Sequence, residues 1–561
     1  MAGVLREVPE AGFGARSLGW LRRCDARTVL VILLLALGVR LLCLSRSDLI
    51  GTDSMRFLQA AQLVEHGQLR EAIRDPFHPE LSFLTAILNR GQQQILGAPR
   101  GFDEDRERRE RTAYAIVLAA GLLWVWLQID LTRTLFPAVP PGAVGLLAAC
   151  QPYLVRSSAD IMSDTLMLAW VMLALRAAAA PPDRLLAALV CGLSIGLAYL
   201  ARPEGLVALP TVLAFWLLRE HRSPTKLATR SGLLLAGLAG VALPYVIAIS
   251  MIAGEPTLTL KKDVYRMIGI EEVRGGFDSL VRPPQDPNPE PNRTEAALPH
   301  DLSSKRSPDR LALQSAVPSR AEWSVLGSLG HILAGWFETA PEVLALAFLA
   351  GLWSLWRHGG RTEGHTLFAL CAGFMLVILL LLLWSEPDPD YLSRRHLFVL
   401  AALSLPLAAR GLLALGAALG ERIGRIGARR GSVLGFGVAV LGLALHATSA
   451  HRDDQLAQLA AARWIVAQHG YGEIVFTDRE KVTYYAGATA RALPADAPTL
   501  LRQVRGLPRS WVAFYHEGAI CCGELAAALD EPGSPLQLVQ RIEEPGASPP
   551  RTLLLYLSDQ Q

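Results

Sequence analysis

Long apolar runs recur along most of this chain and restrict what it can fold into. Crossing a hydrocarbon core of about 30 Å takes roughly 20 helical residues. Eleven runs approach or reach that length, near residues 28–44, 113–129, 140–155, 161–179, 185–200, 205–218, 231–253, 341–356, 366–384, 396–417 and 432–449. Charged residues make up only 19% of the chain, against about 25% in soluble domains. The sequence therefore predicts an α-helical polytopic membrane protein with about eleven transmembrane helices.

Basic clusters predict how these helices are oriented. They precede the first run and follow the sixth and the tenth, and an eleven-span arrangement places all of them on one side of the membrane. Their members are Arg16, Arg22, Arg23, Arg27, Arg219, Arg222, Lys226, Arg230, Arg422, Arg425, Arg429 and Arg430. Because short cytoplasmic loops are enriched in lysine and arginine, we expect a cytoplasmic amino terminus. No cleavage site follows the first run, which we interpret as an uncleaved first span.

The same count predicts the domains. Residues 1–27 form a basic cytoplasmic leader, 28–450 a membrane domain with external loops at 45–112 and 254–340, and 451–561 an external domain. In the last domain a helical stretch precedes strand-like runs at 473–477, 511–515, 536–542 and 552–557, as expected of a small α/β unit. Acceptor binding, partner docking and a structural cap all remain open as its role.

The external side collects acidic residues near the membrane surface. Asp53 lies shortly after the first run, before an amphipathic pattern typical of an interfacial helix. It is either a functional carboxylate near lipid headgroups or the N-cap of that helix, together with Thr52 and Ser54.

Two further acids stand at the outer end of the fourth run. Asp160 and Asp164 are four residues apart and would share one face of a helix. Asp160 is explained as a cap and partner of the helix dipole. An acid such as Asp164 inside an apolar span is costly, which favours a functional role.

Cations face these acids. The turn between the fifth and sixth runs contains Arg202, Pro203 and Glu204, and the turn before the tenth contains Arg394 and Arg395. Arginine can bind a phosphate with two parallel hydrogen bonds. The alternatives are an internal Arg202–Glu204 pair and simple anchoring of Arg394 and Arg395 to headgroups. Lys261 and Lys262 form another basic pair in the large external loop.

Carboxylates and cations on one membrane face suit a reaction on a lipid-linked phosphate ester. A carboxylate would act as general base on an acceptor hydroxyl, and cations would stabilise the departing phosphate. The cysteines show neither a disulfide framework nor zinc spacing, so no metal site is predicted, although a need for a divalent metal stays open. Nothing indicates nucleic-acid binding.

Several short motifs resemble those of the protein O-mannosyltransferase-like (family 39) and aminoarabinose-transferase-like membrane glycosyltransferases of the type C fold. The matching stretches, spread over residues 28–420, are Gly51-Thr52-Asp53-Ser54, Phe77-His78-Pro79-Glu80, Leu135-Phe136, Gln151-Pro152, Met162-Ser163-Asp164-Thr165, Leu200-Ala201-Arg202-Pro203-Glu204-Gly205 and Tyr391-Leu392-Ser393-Arg394-Arg395-His396. An external α/β tail often accompanies the family.

The resemblance implies a polyprenyl-phosphate-linked monosaccharide donor and inverting transfer on the non-cytoplasmic face. The acceptor would be a glycan, a lipid or a protein. Asp53 would be the base and Asp164 the second acid. Arg202, Arg394 and Arg395 would bind the donor phosphate, and His78, Glu204 and Asp160 would lie near the site. The high Ala, Leu and Arg content suggests a bacterial inner membrane with a periplasmic carboxyl-terminal domain.

Two residues depart from the family pattern. Ser54 stands where many relatives carry a second acid, and Glu80 stands where a second proline is common. Two other functions therefore remain alternatives. A transporter or lipid flippase would predict internal repeats and charges near mid-bilayer, whereas a catalytically inactive relative would serve as a scaffold.

Overall fold

The structure of this chain, a computed structural model, describes residues 21, 24–47, 49–75, 77–254, 256–260, 325–339, 341–358, 363–385, 394–423, 427–449, 456–494, 496–507, 509–516, 523–532, 534–544 and 551–559. Lys261, Lys262, most of the loop 254–340 and the turn 386–393 lie outside these residues, as does the Arg394 side chain.

Helices make up the part predicted to be membrane domain. They are α1 (Ala26–Leu44), α2 (Thr52–Glu65), α3 (Leu69–Arg74), α4 (Glu80–Leu96), α5 (Phe102–Leu135), α6 (Pro141–Cys150), α7 (Pro152–Ser158), α8 (Asp164–Ala178), α9 (Leu185–Ala201), α10 (Ala208–Glu220), α11 (Pro224–Ala253), α12 (Val325–Thr339), α13 (Glu342–His358), α14 (Glu363–Ser385), α15 (Phe398–Arg422) and α16 (Gly427–Ala447). Short 3₁₀ helices at Pro203–Val207 and Arg394–Leu397 lead into α10 and α15.

Among the described residues, five helices are long and apolar enough to span a membrane, or six when the sharply bent pair α12 and α13 counts as one span. Several other predicted runs form shorter apolar helices, including α6, α9 and much of α14. The chain is thus an integral membrane protein, and the count of eleven spans stays a prediction.

The predicted span 140–155 is wrong as a continuous helix. Gln151 has an extended backbone between α6 and α7, and Pro152 opens the second helix. The Gln151 side chain accepts a hydrogen bond from the Leu154 amide (2.5 Å) and donates one to the Thr339 carbonyl (2.7 Å). This side chain therefore satisfies an amide at the start of α7 and a carbonyl at the end of α12.

A buried arginine stabilises the same region. Arg40 of α1 is fully buried, and its Nε donates to Ser158 Oγ (2.8 Å). Its Nη1 donates to the carbonyls of Ala36 (3.1 Å) and Ala149 (3.2 Å). Arg40 thus joins α1 to the ends of α6 and α7.

Glycines allow two helix pairs to approach closely. A Cβ on Gly192 of α9 would collide with the Leu234 carbonyl of α11, and one on Gly411 of α15 would collide with the Ala347 carbonyl of α13. Small residues at such positions are the usual means of close helix packing in membranes.

The carboxyl-terminal part is an α/β unit. Its elements are α17 (Leu456–His469), β1 (Ile474–Thr477), α18 (Glu480–Ala486), β2 (Thr489–Arg491), α19 (Ala497–Arg505), β3 (Arg509–His516), α20 (Gly523–Leu529), β4 (Gln537–Glu543) and β5 (Thr552–Asp559). The sheet order is β2-β1-β3-β5-β4, with β1 parallel to both neighbours and β5 antiparallel to both of its own. The four strand-like runs are confirmed as strands, and the short β2 was missed.

Candidate active site

The helix that follows α1 carries Asp53. Helix α2 begins at Thr52 with Gly51 in the N-cap position, and no side chain caps it. The interpretation of Asp53 as a helix cap is therefore wrong. Its carboxylate instead forms an ion pair with the Arg395 guanidinium of the 3₁₀ turn before α15. Both side chains keep part of their surface exposed, 26% for Asp53 and 33% for Arg395.

Asp160 contacts the Asp53 loop, which we define as residues 50–56 around the start of α2. Its Oδ1 accepts hydrogen bonds from Ser54 Oγ (3.0 Å), the Gly51 amide (3.4 Å) and the Ile161 amide (3.0 Å). Helix α8 begins only at Asp164, so Asp160 precedes it. The predictions that Asp160 caps this helix and shares a helical face with Asp164 are wrong. Asp160 instead bonds the segment on either side of Asp53.

A buried ionic cluster lies beside the Asp53 loop. The Arg202 guanidinium pairs with Asp164, and its Nε lies 3.2 Å from Glu204 Oε2. All three residues are buried. The predicted internal Arg202–Glu204 pair is thus present, but Arg202 also holds Asp164. His396, which the sequence did not single out, places Nε2 3.4 Å from Glu204 Oε1.

His78 forms part of the wall. Its Nδ1 lies 2.7 Å from the Tyr199 carbonyl, which can only accept, so Nδ1 carries the proton. Its Nε2 lies 3.4 Å from Thr259 Oγ1. The imidazole is buried and packs edge-on against Tyr199. This histidine joins the segment after α3 to the end of α9.

These residues surround one small cavity that is partly open to solvent. Its lining includes His78, Asp164, Arg202, Glu204 and Arg395, together with the aromatic rings of Phe57 and Phe77. Two predicted site residues with described side chains, Asp53 and Asp160, are not among the lining residues. Asp53 is paired with Arg395, which lines the cavity, and Asp160 is hydrogen-bonded to the Asp53 loop. Sequence positions far apart thus meet at one end of the helical bundle.

The basic cluster that follows the sixth predicted span lies at the other end of the bundle. There Arg230 forms a buried pair with Glu220, and Lys226 lies 2.8 Å from Asp183. Asp183 precedes α9 and Arg202 follows it, so these contacts lie at the opposite end of α9 from the cavity.

Glu80 is a buried acid that the sequence marked only as a departure from the family pattern. It opens α4, and its Oε1 accepts a hydrogen bond from Trp170 Nε1 (2.6 Å). Burial raises the pKa of Glu80 to about 8, despite the opposing effect of the Trp170 hydrogen bond. This carboxyl group is therefore largely protonated near neutral pH.

Within the described part of the chain, no group of three or more His, Cys, Asp or Glu side chains is arranged to hold a metal ion.

The broken helical bundle and the carboxyl-terminal sheet form the fold of the type C membrane glycosyltransferases. The solved structure of ArnT from Cupriavidus metallidurans bound to undecaprenyl phosphate is similar to this chain with a TM-score of 0.55 and 14% identity, over 96% of this chain and 98% of that one. ArnT from the same organism in the apo state has a TM-score of 0.53 and 14% identity, over 95% and 98%. No family model matches the sequence, and the search of curated proteins found no match.

Proposed function

We propose that this protein is an inverting glycosyltransferase that moves a monosaccharide from a polyprenyl-phosphate donor to an acceptor hydroxyl on the non-cytoplasmic membrane face. The observation that carries the proposal is the meeting of Asp164, Arg202 and Arg395 around one cavity at one end of the bundle, with Asp53 paired to Arg395. The ArnT structure with a similar fold is bound to undecaprenyl phosphate, which supports a lipid phosphate as donor.

The ion pair between Asp53 and Arg395 suggests how donor binding prepares the base. Arg395 is the more exposed of the two guanidiniums, since 33% of its side chain is accessible against 11% for Arg202. A donor phosphate entering the cavity would therefore meet Arg395 first and compete with Asp53 for it. Asp53 released from its partner becomes free to accept a proton.

Transfer then follows from the positions of these groups. Asp53 removes the proton of the acceptor hydroxyl, and the oxygen attacks the anomeric carbon as the bond from that carbon to the phosphate oxygen breaks. The electron pair leaves with the polyprenyl phosphate, whose charge Arg395 and Arg202 stabilise. Attack opposite to the leaving phosphate inverts the anomeric carbon. Asp164 and Glu204 keep Arg202 in place.

The bacterial inner membrane, with the amino terminus cytoplasmic and the α/β unit periplasmic, is part of this proposal. It places the cavity where polyprenyl-phosphate sugars and external glycan, lipid or protein acceptors meet. The two clusters at opposite ends of the bundle support this orientation, because the basic end corresponds to the cytoplasmic side.

The test is transfer of labelled sugar by purified protein in lipid nanodiscs, using a panel of polyprenyl-phosphate monosaccharides and acceptor fractions of lipid, glycan and peptide. We expect transfer by the wild type and a loss of at least about 10²-fold in Asp53→Asn, because a positioned base contributes about that much or more. Asp183→Asn is the matched control, since Asp183 pairs with Lys226 at the other end. Equal activity of Asp53→Asn and wild type would remove Asp53 from the reaction. Transfer from none of the donors would favour the transporter or scaffold alternatives.

A further inference from the structure

Helix α18 of the carboxyl-terminal unit contacts the loop that carries Asp53. The Ile50 amide donates a hydrogen bond to Tyr485 Oη (3.1 Å). Arg56 Nη2 lies 3.3 Å from Glu480 Oε1. Ile50 and Arg56 are each three positions from Asp53, so α18 holds the segment on both sides of this carboxylate.

The helix that makes these contacts is itself anchored to α5. Arg106 Nη1 donates to the Tyr485 carbonyl (3.0 Å), and its guanidinium lies 5.3 Å from the centre of the Tyr485 ring. Tyr484 Oη donates to Glu110 Oε1 (2.9 Å). Since α5 continues into the apolar bundle, the position of α18 is tied to a membrane helix.

The contacts extend to the cavity wall. The Arg56 guanidinium lies 5.7 Å from the centre of the Phe77 ring, which packs against Phe57. Both rings line the cavity. A shift of Arg56 would therefore move this wall as well as the Asp53 backbone.

The loop is consequently held from two directions. Asp160 bonds Gly51 and Ser54 from the membrane domain, whereas Tyr485 and Glu480 bond Ile50 and Arg56 from the carboxyl-terminal unit. Ile50 is buried, and a buried amide that loses its acceptor has a strong tendency to move towards another one.

We propose that Tyr485 and Glu480 are positioning residues that fix the Asp53 loop, so that the carboxyl-terminal unit contributes to the geometry of transfer without lining the cavity. This inference rests on the proposed function, in which Asp53 is the base. This positioning role differs from the roles in acceptor binding or as a structural cap that the sequence left open for the unit.

A control variant can separate positioning of Asp53 from simple attachment of the carboxyl-terminal unit to the membrane helices. Tyr471, in the same unit, donates its hydroxyl hydrogen to Asp103 of α5, so Tyr471→Phe removes a similar domain contact away from the loop. The test variant is Tyr485→Phe combined with Glu480→Gln, which retains the size of both side chains.

The first measurement is hydrogen exchange of the backbone amides in residues 49–57, with the full-length protein in nanodiscs. We expect exchange there to rise roughly tenfold in the double variant, about the factor that one ordinary hydrogen bond contributes, and to stay at the wild-type rate in Tyr471→Phe. An unchanged rate in the double variant, or an equal rise in both variants, would overturn the inference.

The second measurement is transfer of labelled sugar. We expect kcat of the double variant to fall roughly 10- to 100-fold, the scale of a 1 Å misplacement, and KM for the donor to change by a smaller factor, because neither residue lines the cavity and Arg56 touches its wall through Phe77. A rise in KM with unchanged kcat would overturn positioning. If Asp53→Asn retains wild-type activity, the proposed function fails, whereas the exchange rates still decide whether α18 holds the loop.

Discussion

The Asp53 carboxylate and the Arg395 guanidinium form an ion pair between the start of α2 and the turn before α15. The pair joins two segments that lie 342 residues apart in sequence. It places a candidate base against the most accessible cation lining the described cavity.

Arg395→Gln is expected to weaken undecaprenyl phosphate binding roughly 10- to 100-fold, because a hydrogen bond to a charged group contributes about 1.5–3 kcal/mol. Stability should change by less than about 1 kcal/mol, since partly exposed ion pairs contribute little. Binding to purified protein in nanodiscs checks this. The control is Arg111→Gln, which breaks an exposed pair with Glu107 on the external part of α5. Equal affinities for Arg395→Gln and wild type would exclude Arg395 from phosphate binding.

Arg202→Met is expected to destabilise the protein by about 3–5 kcal/mol, because it leaves Asp164 and Glu204 buried without their shared cation. The triple variant Arg202→Met/Asp164→Asn/Glu204→Gln removes the uncompensated charges and should recover most of that loss. Thermal unfolding in nanodiscs measures both changes. We expect the triple variant to fold without transferring sugar, and full activity in it would refute a role for this cluster.

The contacts of Ser54 explain why a serine stands where many members of the family carry an acid. Its hydroxyl is fully buried and donates a hydrogen bond to Asp160. Ser54→Ala should cost about 1 kcal/mol, the value of one hydrogen bond. Ser54→Glu should cost more than about 3 kcal/mol, since it adds an unpaired buried carboxylate next to another one. Unfolding of both variants is compared with that of Gln59→Glu, an exposed position on the same helix. A stable Ser54→Glu protein would contradict this explanation.

Glu80 predicts a pH effect on stability. Its pKa is raised from 4.5 to about 8 in the folded protein, so the folded state binds the proton more tightly than the unfolded state. The contribution of the neutral carboxyl group is complete below about pH 4.5 and is lost as the pH rises to about 8. Glu80→Gln, which retains an oxygen for Trp170, should therefore gain stability relative to wild type between pH 5 and pH 8. Each pKa unit corresponds to about 1.4 kcal/mol. Melting temperatures of both proteins at the two pH values decide this, and a constant difference would contradict it.

Hydropathy and the distribution of charge predicted the helical bundle and many of the residues that gather at the cavity end of it. These features depend on long stretches of composition, which a sequence displays directly. The start of α8 was harder to predict because Ser163, Asp160 and Asp164 are all good helix-start residues, and only the contacts of Asp160 with Gly51 and Ser54 show which role it takes.

Contacts between distant segments could not be predicted. Nothing near Tyr485 indicates that its hydroxyl meets the Ile50 amide, 435 residues away. The break at Gln151 was missed because the apolar pattern continues across it, although Pro152 is a signal for a helix start. Strand β2 has only three residues and little buried surface, so it lacks the alternation that identifies a strand.

Under the proposed function, the close glycine contacts in the bundle bear on how a lipid donor would enter. The backbones of α9 and α11 approach so closely at Gly192, and those of α15 and α13 at Gly411, that a single added Cβ would collide with the neighbouring carbonyl. We therefore expect each pair to move as one rigid body. The opening for an isoprenoid chain would then form between these bodies, and cross-linking within either pair should leave lipid entry unhindered.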